Sequence, residues 1–340
     1  MTHLLALTLG DRYGIGPEIV ARTIAAWTLN DDLTPVVVGD KDVFDQGCAI
    51  AGVAPRLPRI ASLQAARDAG PAPVFVHRPC SAPLGPLGRV SAEAGREVLD
   101  TLAEVAQAVR HGFVDGMVYA PLSKQAMLAA GHAGAVETDL FARVFGGEAA
   151  EINVVDGLAT SRVTSHVPVS AVASLVTHDS VAEAVRRMWS FLRMVGVERP
   201  RLAVAGLNPH AGEGGAFGRE EIEVIAPAIA AVRRDGILAS GPFAPDTVFP
   251  QAIAGHFDAV VTMYHDQGQI ALKLIGLGRG VTFIEGLGVP VATPGHGTAF
   301  DIAGKGLAKA DGLRRALRLC RSMLSGAPAA RQAPLEAMPG

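Results

Sequence analysis

Short apolar runs alternate along this chain with longer, alanine-rich stretches that repeat with the period of a helix. Leu4–Leu9, Arg201–Ala205 and Ala259–Met263 are typical of buried strands, whereas Ser91–Arg110 is typical of an amphipathic helix. This alternation predicts an α/β fold with a mostly parallel sheet covered by helices on both faces. Because 340 residues exceed the length at which one hydrophobic core usually stops growing, we expect two domains or one double-lobed unit.

The composition argues against several classes of partner. With 30 basic and 33 acidic residues the net charge is −3, and only 5% of residues are aromatic, so we expect no nucleic-acid partner and no membrane partner. No stretch of about 18 apolar residues lacks charges, so no transmembrane helix is expected. The three cysteines are far apart and form no CxxC pair, which favours a cytoplasmic protein.

Three histidines stand in glycine- or proline-rich stretches, each close behind an apolar run. In open α/β sheets, ligands bind where strands give way to loops. A single histidine is more often structural, but three neutral imidazoles in such positions favour an open catalytic site for a divalent metal. The three are His166 in Thr164-Ser-His-Val-Pro168, His210 in Gly206-Leu-Asn-Pro-His-Ala-Gly-Glu-Gly-Gly215 and His265 in Met263-Tyr-His-Asp-Gln-Gly268.

Two further glycine-rich segments are candidates for ligand loops. Gly10-Asp-Arg-Tyr-Gly-Ile-Gly-Pro-Glu18 joins a predicted strand to a predicted helix, with neither a GxGxxG fingerprint nor a Walker lysine. It is therefore either a plain tight turn or a turn whose helix start faces a ligand. Pro294-Gly-His-Gly-Thr-Ala-Phe-Asp-Ile-Ala-Gly-Lys-Gly306 combines polar side chains with glycines that let a backbone approach a ligand closely.

Three charged residues are candidates for proton transfer or anion binding. Asp246 and Asp266 are possible acids or bases, although a helix cap or a surface salt bridge is the alternative for either one. Lys273 stands in an otherwise apolar run. We expect it to be buried, which would require a carboxylate or an anionic substrate beside it.

Together these motifs resemble the 4-hydroxythreonine-4-phosphate dehydrogenases of vitamin B6 biosynthesis, from about residue 4 to residue 324. The Pro294–Gly306 segment is also similar to the cofactor loop of isopropylmalate and isocitrate dehydrogenases, the wider superfamily. The resemblance implies a two-lobed α/β/α fold with the active site in the interlobe cleft. It implies a cofactor-side lobe of residues 1–128 plus 268–330, and a metal-binding and dimerisation lobe of residues 129–267.

The resemblance also implies cofactors and a partner. NAD or NADP binds without a Rossmann fingerprint, and His166, His210 and His265 hold one divalent metal per site, which could be Zn, Mg, Mn or Co. The working form is a homodimer with its active site near the interface, and one histidine is expected from the partner subunit. The expected cofactor-binding residues are His296, Gly297, Thr298, Ala299, Asp301 and Asn208.

The reaction implied is oxidation of a hydroxyl that is β to a carboxylate, followed by decarboxylation of a small hydroxy acid. The metal polarises the hydroxyl, Asp246 or a water that it holds takes the proton, and hydride passes to the nicotinamide. Lys273 and the metal stabilise the enolate that remains when CO2 departs. Asp266 is a further candidate acid or base.

The expected substrate-binding positions, which include Lys273, partly depart from the family's pattern. The family has a histidine–threonine pair that binds phosphate, and this chain has Glu137 and Thr138 at those positions. Where the family has an asparagine this chain has Thr282, and where the family has an arginine it has Val291. A carboxylate beside a phosphate would cost about 1–4 kcal/mol in a partly wet site, and loss of the arginine removes a bidentate grip. These changes predict an unphosphorylated substrate such as an aromatic carboxylate cis-dihydrodiol of the terephthalate dihydrodiol type, with Val291 facing its ring.

Two alternatives stay open from sequence. One is the vitamin B6 enzyme itself, with an altered phosphate pocket. The other is a ligand-binding protein that keeps the fold without activity, against which the retention of the three histidines and Lys273 argues.

Overall fold

The computed structural model describes residues 2–28, 32–132 and 137–326, so the predicted lobe end at residue 330 lies outside the described residues. The strands are β1 (His3–Thr8), β2 (Leu33–Gly39), β3 (Arg59–Ile60), β4 (Val74–His77), β5 (Gly116–Tyr119), β6 (Ala150–Val155), β7 (Leu158–Arg162), β8 (Arg201–Ala205), β9 (Leu238–Phe243), β10 (Ala259–Thr262), β11 (Val281–Glu285) and β12 (Val291–Pro294). The helices are α1 (Gly16–Ala25), α2 (Lys41–Ala51), α3 (Ala92–Arg110), α4 (Lys124–Ala129), α5 (Thr138–Phe145), α6 (Val169–Leu175), α7 (His178–Met194), α8 (Ala226–Arg234), α9 (Pro245–Ile253), α10 (His265–Gly276) and α11 (Asp311–Ser325).

The chain divides into two compact units. Unit 1 comprises Met1–Ala150 with Val281–Ser325, and unit 2 comprises Glu151–Gly280. The divisions therefore fall at 150/151 and 280/281, whereas the sequence predicts them at 128/129 and 267/268. Residues 268–280, which include Lys273, thus belong to the same unit as the three histidines. The location of the active site in a cleft stays a prediction.

Unit 1 is built on strands in the order β3-β4-β2-β1-β5-β12-β11. All neighbouring pairs in this part of the described sheet are parallel except the pair of β12 with β11. The apolar positions of α3, which include Val98, Leu102 and Val105, pack into a core with the strand residues Met117 and Val291. The predicted amphipathic helix is therefore confirmed, with its apolar face on the sheet.

Unit 2 has the strand order β6-β7-β10-β8-β9. β7, β10, β8 and β9 are mutually parallel, and β6 runs antiparallel to β7. Its own core gathers Ala203 and Val260 from the strands with Val248, Phe249 and Leu272 from the helices. The mostly parallel α/β sheet predicted from the sequence is thus confirmed in both units.

Local sequence explains where several helices begin and end. The Asp40 carboxylate accepts hydrogen bonds from the amides of Asp42 and Val43 at the start of α2, and Gly52 ends that helix with φ 66°. The Ser91 hydroxyl accepts from the amide of Ala94 at the start of α3. No helix among the described residues is long and apolar enough to cross a membrane.

Two elements differ from what the sequence predicts. The sequence also suggests a strand at Arg162–Ser165. The strand lies earlier, at Leu158–Arg162, because Ala159 to Arg162 pair in register with β10. His265 is predicted to lie in a loop after β10, but it is the first residue of α10.

Candidate functional site

Four neighbouring strands of unit 2 end at one edge, which we call the histidine edge. His166 follows β7, His265 follows β10 and His210 follows β8, while Asp246 lies in the first turn of α9, directly after β9. Because β7, β10, β8 and β9 are parallel neighbours, their carboxyl ends share this edge. The structure thus brings residues that are up to 99 positions apart in the sequence to one side of one sheet, where ligands of open α/β sheets bind.

His166 and His265 form a pair at this edge. Their ring centres are 5.7 Å apart, with the planes tilted by 41°. Two imidazoles that share one Zn²⁺ at ~2.0–2.1 Å from each nitrogen have ring centres roughly 5–6 Å apart, so the pair fits a divalent metal. His265 Nδ1 lies 2.6 Å from Asp266 Oδ1, and a proton held there leaves Nε2 as the ligand nitrogen.

His210 is held in a different way. Its φ is 53°, and the next four residues also have positive φ, so the loop makes a left-handed turn. Its ring lies 6.3 Å from that of Phe217. No three His, Cys, Asp or Glu side chains in the described part of one chain are placed to hold a metal ion together. Among the described residues of one chain, His210 therefore does not join His166 and His265 in such a group.

A buried carboxylate that sequence reasoning missed fixes this left-handed turn. Glu221 is 2% exposed, and its Oε1 accepts hydrogen bonds from the backbone amides of Leu207 and Asn208, both at 2.7 Å. A Cβ at Gly212 would lie 2.7 Å from Glu221 Oε2, so the loop needs glycine there. In the sequence, the position of this glutamate after the glycine-rich loop was the signal that could have indicated its role.

The side-chain amide of Asn208, a predicted cofactor ligand, is hydrogen-bonded within unit 2. Its Nδ2 donates to Glu220 Oε2 at 2.7 Å and to Glu221 Oε2 at 2.9 Å. Both amide hydrogens are therefore used in holding the loop, which gives Asn208 a positioning role.

The three predicted acid–base and anion-binding residues lie at or near the histidine edge. Asp246 is exposed, and the Asp266 side chain is 72% exposed and aimed at His265. The expectation of a buried Lys273 is wrong, because it lies on the exposed face of α10. The apolar run around it consists partly of exposed side chains, and Leu274 is 83% exposed.

Unit 1 presents a second edge, which we call the glycine edge. There the Gly10–Glu18 turn after β1 meets the Pro294–Gly306 loop after β12. The amide of Ile15 donates to the Thr298 carbonyl at 3.0 Å. A Cβ at Gly14 would lie 2.9 Å from the Thr298 Cβ and carbonyl oxygen, so glycine permits this close contact.

The predicted cofactor residues of unit 1 all lie in this loop. His296 Nδ1 lies 3.1 Å from the Gly297 carbonyl, Ala299 has a φ of 43°, and Asp301 is exposed. The loop is fixed further along, where the Ala308 amide donates to Glu18 Oε1 at 3.1 Å. The structure therefore brings the two glycine-rich segments together, and their polar groups can face a ligand.

Buried charges lie beneath the glycine edge. Asp11 is 1% exposed, and burial raises the pKa of its carboxyl to about 6, although the Tyr13 amide and Arg12 favour the charged form. A cavity of about 260 Å³ opens beside Arg12 and Cys80. Burial raises the pKa of the Cys80 thiol to about 12, so it is not a nucleophile at neutral pH.

Three of the predicted substrate-binding side chains lie in the interior of unit 1. Glu137 is 7% exposed, and its Oε1 accepts from the Tyr119 hydroxyl at 3.0 Å. Val291 is fully buried and pairs with Met117 in the sheet, so the expectation that it faces a substrate ring is wrong. Thr138 begins α5 and is buried, and Thr282 on β11 pairs with Thr293 on β12.

Known proteins share this sequence pattern and fold. A sequence model described as pyridoxal phosphate biosynthetic protein PdxA matches residues 31–320. The chain belongs to the PdxA family. It is 41% identical to a 4-hydroxythreonine-4-phosphate dehydrogenase of Beijerinckia indica, over 93% of this chain and 94% of the relative. It is 39% identical to a D-threonate 4-phosphate dehydrogenase of Bordetella bronchiseptica, over 91% and 89% of the two chains.

A solved structure supports the same assignment. The crystal structure of 4-hydroxythreonine-4-phosphate dehydrogenase from Klebsiella pneumoniae has a TM-score of 0.81 and 36% identity, covering 95% of this chain and 98% of the other. Membership makes this PdxA-family chain an enzyme, an NAD-dependent dehydrogenase. The sequence alternative of a ligand-binding protein without activity is thereby set aside.

The predicted unphosphorylated dihydrodiol substrate is wrong. The high-identity relatives act, by their names, on phosphorylated substrates, whereas a terephthalate 1,2-cis-dihydrodiol dehydrogenase from Burkholderia xenovorans is more distant, with 29% identity and a TM-score of 0.65 over 94% and 98% of the two chains. The physical reason lies in the interior of unit 1. The carboxylate of Glu137 bonds to Tyr119 instead of opposing a phosphate, and the buried Val291 offers no wall for a ring.

Proposed function

We propose that this chain oxidises a phosphorylated β-hydroxy acid of the 4-hydroxythreonine 4-phosphate type, with decarboxylation, using NAD and a divalent metal. The observation that carries the proposal is the histidine edge, where His166, His210, His265 and Asp246 follow four neighbouring parallel strands. His166 and His265 would hold the metal, together with a third histidine. Imidazole nitrogens suit Zn²⁺ and other first-row divalent ions, so the donor set leaves the choice between them open.

Each residue of the histidine edge has a distinct task in this proposal. A bound divalent ion would supply Lewis-acid polarisation of the substrate hydroxyl, and NAD would supply the hydride acceptor. Asp246 is exposed at this edge and accepts the hydroxyl proton, directly or through a water. Asp266 keeps His265 in one tautomer and orientation. Lys273 carries the positive charge that binds the substrate anion and stabilises the enolate.

The third histidine comes, in this proposal, from a second copy of the chain. His210 is not grouped with the other two histidines within the described part of one chain. The helix that begins at His265 and the residue that follows it carry three strongly exposed apolar side chains: Ile270 at 61%, Leu274 at 83% and Leu277 at 78%. Exposed apolar side chains that cluster on one helix are typical of a protein interface. A homodimer that covers α10 would bury them beside the metal ligands.

Mixing two inactive variants tests the shared site. If His166 and His265 of one chain work with His210 of the other, dimers reassembled from His210→Ala and His265→Ala recover one intact site in each mixed dimer, or about a quarter of wild-type activity. If each site lies within one chain, the mixture stays inactive. As a second measurement, Leu274→Asp should shift the sedimentation coefficient towards that of a monomer.

A substrate comparison tests the reaction itself. NADH absorbance is followed with 4-phosphohydroxythreonine, with D-threonate 4-phosphate and with the unphosphorylated form of each, in the presence of Zn²⁺, Mg²⁺, Mn²⁺ or Co²⁺. D-Threonate 4-phosphate is the second candidate, because a relative of that name is 39% identical. We expect a phosphorylated compound to be turned over with release of CO2. Equal efficiency on an unphosphorylated form would overturn the proposal.

NADP is compared with NAD in the same assay, which tests whether the dependence on NAD is exclusive. We place the enzyme in the cytoplasm, a proposal supported by three cysteines that are all free thiols in the structure.

A further inference from the structure

Two arginines flank the ring of Tyr13 at the glycine edge, and they are used in different ways. The guanidinium carbon of Arg12 lies 4.9 Å from the ring centre and that of Arg89 lies 4.2 Å from it. Arg12 is 4% exposed, donates to the Ala82 carbonyl at 2.9 Å and lies 3.4 Å from Glu97. Its charge is therefore neutralised inside the protein.

Arg89 is exposed, but its guanidinium group is held in place. Its Nη2 donates to the Tyr13 hydroxyl at 2.6 Å, and its plane lies over the same ring. Tyr13 itself is 1% exposed, so the platform under the guanidinium is fixed. A surface arginine normally loses considerable side-chain entropy when it binds a ligand, and a guanidinium held at two points has already lost much of it.

The charge of Arg89 is left unneutralised. No carboxylate among the described residues lies within salt-bridge distance of it. Glu93 is the acid whose pKa responds to it, but that pKa is lowered first by the hydrogen bond from the Ser91 hydroxyl and only weakly by Arg89. Because one of its five N–H groups is used on Tyr13, Arg89 keeps enough donors for a bidentate contact with an anion.

The position of Arg89 identifies the anion. Its neighbour Gly88 donates from its amide to the Tyr13 carbonyl at 2.8 Å, and a Cβ at Gly88 would lie 2.7 Å from the Phe300 carbonyl oxygen. Arg89 thus follows directly after the point where the Gly10–Glu18 turn, the segment after β4 and the proposed cofactor loop come together. If that loop holds a dinucleotide, the phosphate groups of the cofactor are the anions available to Arg89.

We propose that Arg89, held on Tyr13, binds a phosphoryl group of the dinucleotide cofactor. The proposal rests on the proposed function in one respect, namely that the Pro294–Gly306 loop holds the cofactor. The phosphoryl group belongs either to the pyrophosphate, which NAD and NADP share, or to the 2′-phosphate of NADP alone. Phosphate oxygens are the acceptors that the planar, bidentate fork of arginine fits.

Direct binding of NADH and NADPH to the full-length protein tests this assignment without turnover. We expect Arg89→Gln to raise the Kd about tenfold, Arg89→Lys about threefold because it keeps charge but not the fork, and Tyr13→Phe about twofold to threefold because it frees the guanidinium. A pyrophosphate contact weakens both dinucleotides equally, whereas a 2′-phosphate contact weakens NADPH alone. Arg56→Gln is the matched control, since Arg56 is an exposed arginine that precedes β3 at the opposite, amino end of the strands.

The outcomes separate the two proposals. If wild-type protein binds NADH and Arg89→Gln leaves both Kd values within twofold of wild type, the assignment of Arg89 is wrong while the proposed function stands. The assignment is equally wrong if only the KM for the phosphorylated substrate rises, because Arg89 then grips the substrate. If wild-type protein binds neither dinucleotide, both proposals fail. The melting temperature of the two Arg89 variants, expected to be unchanged at this exposed position, shows whether a lost affinity reflects unfolding.

Discussion

The two edges of this protein differ in how far the chain completes them. At the glycine edge, Asp11 and Tyr13 are each 1% exposed and Glu18 is 2% exposed, and the two glycine-rich segments are joined by hydrogen bonds. At the histidine edge, the His265 side chain is 37% exposed and that of Asp266 is 72% exposed. The glycine edge is therefore held by its own buried residues, whereas the histidine edge exposes the side chains that carry its proposed function.

The largest expected effect lies at the histidine edge. His265→Ala should reduce kcat/KM by about 10³-fold or more, since loss of a metal ligand removes several kcal/mol of charge stabilisation. Steady-state assays and metal analysis of the purified variant measure the effect together. His256→Ala, at an exposed histidine away from this edge, should leave both unchanged. Full activity in His265→Ala would contradict the metal assignment.

At the glycine edge the largest effect should be on stability and should depend on pH. Burial raises the pKa of Asp11 from 3.8 to about 6, so its contribution to stability is fully present below pH 3.8 and is lost as the pH rises through 6. The loss reaches about 3 kcal/mol above that range. Asp11→Asn keeps an acceptor for the Tyr13 amide and removes the charge. It should match the wild type near pH 4 and be more stable at pH 7.5.

Urea unfolding at the two pH values measures this difference. Asp45→Asn is the control, because Asp45 is a half-exposed partner of Lys41 whose replacement should shift stability little at either pH. A variant that is no more stable than wild type at pH 7.5 would show that the Asp11 carboxyl is not destabilised by burial.

An intermediate effect is expected where Asp266 supports His265. Asp266→Asn should lower metal affinity about 10–100-fold, because the outer partner of a ligating imidazole fixes its tautomer and orientation. Competition with a chromogenic chelator gives the affinity. Asp179→Asn removes a similar contact, 2.9 Å to His178, away from the site and should change nothing. If Asp266→Asn and Asp179→Asn bind the metal equally well, the 2.6 Å contact between Asp266 and His265 does not support metal binding.

The smallest expected effect concerns packing at the glycine edge. Gly14→Ala places a Cβ 2.9 Å from Thr298, and the loop must shift at a cost of about 1–2 kcal/mol. Thermal unfolding should show the loss, and the Kd for NADH should rise with it. Gly297→Ala, whose Cβ meets nothing within 4 Å, should leave the melting temperature as it is. A fully stable Gly14→Ala protein would mean that the two segments are not tightly joined.

The sequence predicted the architecture better than the direction of individual side chains. Strand–helix alternation predicted the parallel sheet because periodicity reports burial directly. It could not show that β10 lies between β7 and β8, since strand order depends on packing between distant segments. Lys273 was expected to be buried because its neighbours are apolar, yet several of them, such as Leu274, lie on an exposed helix face.

The candidate site shows the same limit. The three histidines could be placed at strand ends from their local sequence alone. Glu137 and Val291 were expected to face a substrate because they match family positions, but their burial depends on Tyr119 and Met117 from another strand. Glu221 escaped notice because two of its partners are backbone amides, which no side-chain motif reveals.

The strand order of unit 2 also has a consequence for how the protein is made. β7 and β8 both leave the ribosome before β10, yet they become neighbours only through it. A nascent chain that has not yet synthesised β10 therefore lacks both His265 and the strand that aligns the ends of β7 and β8. If the histidines hold a metal as proposed, its capture waits until this late strand is inserted, because the non-local pairings of β10 close only after the intervening loops have been ordered.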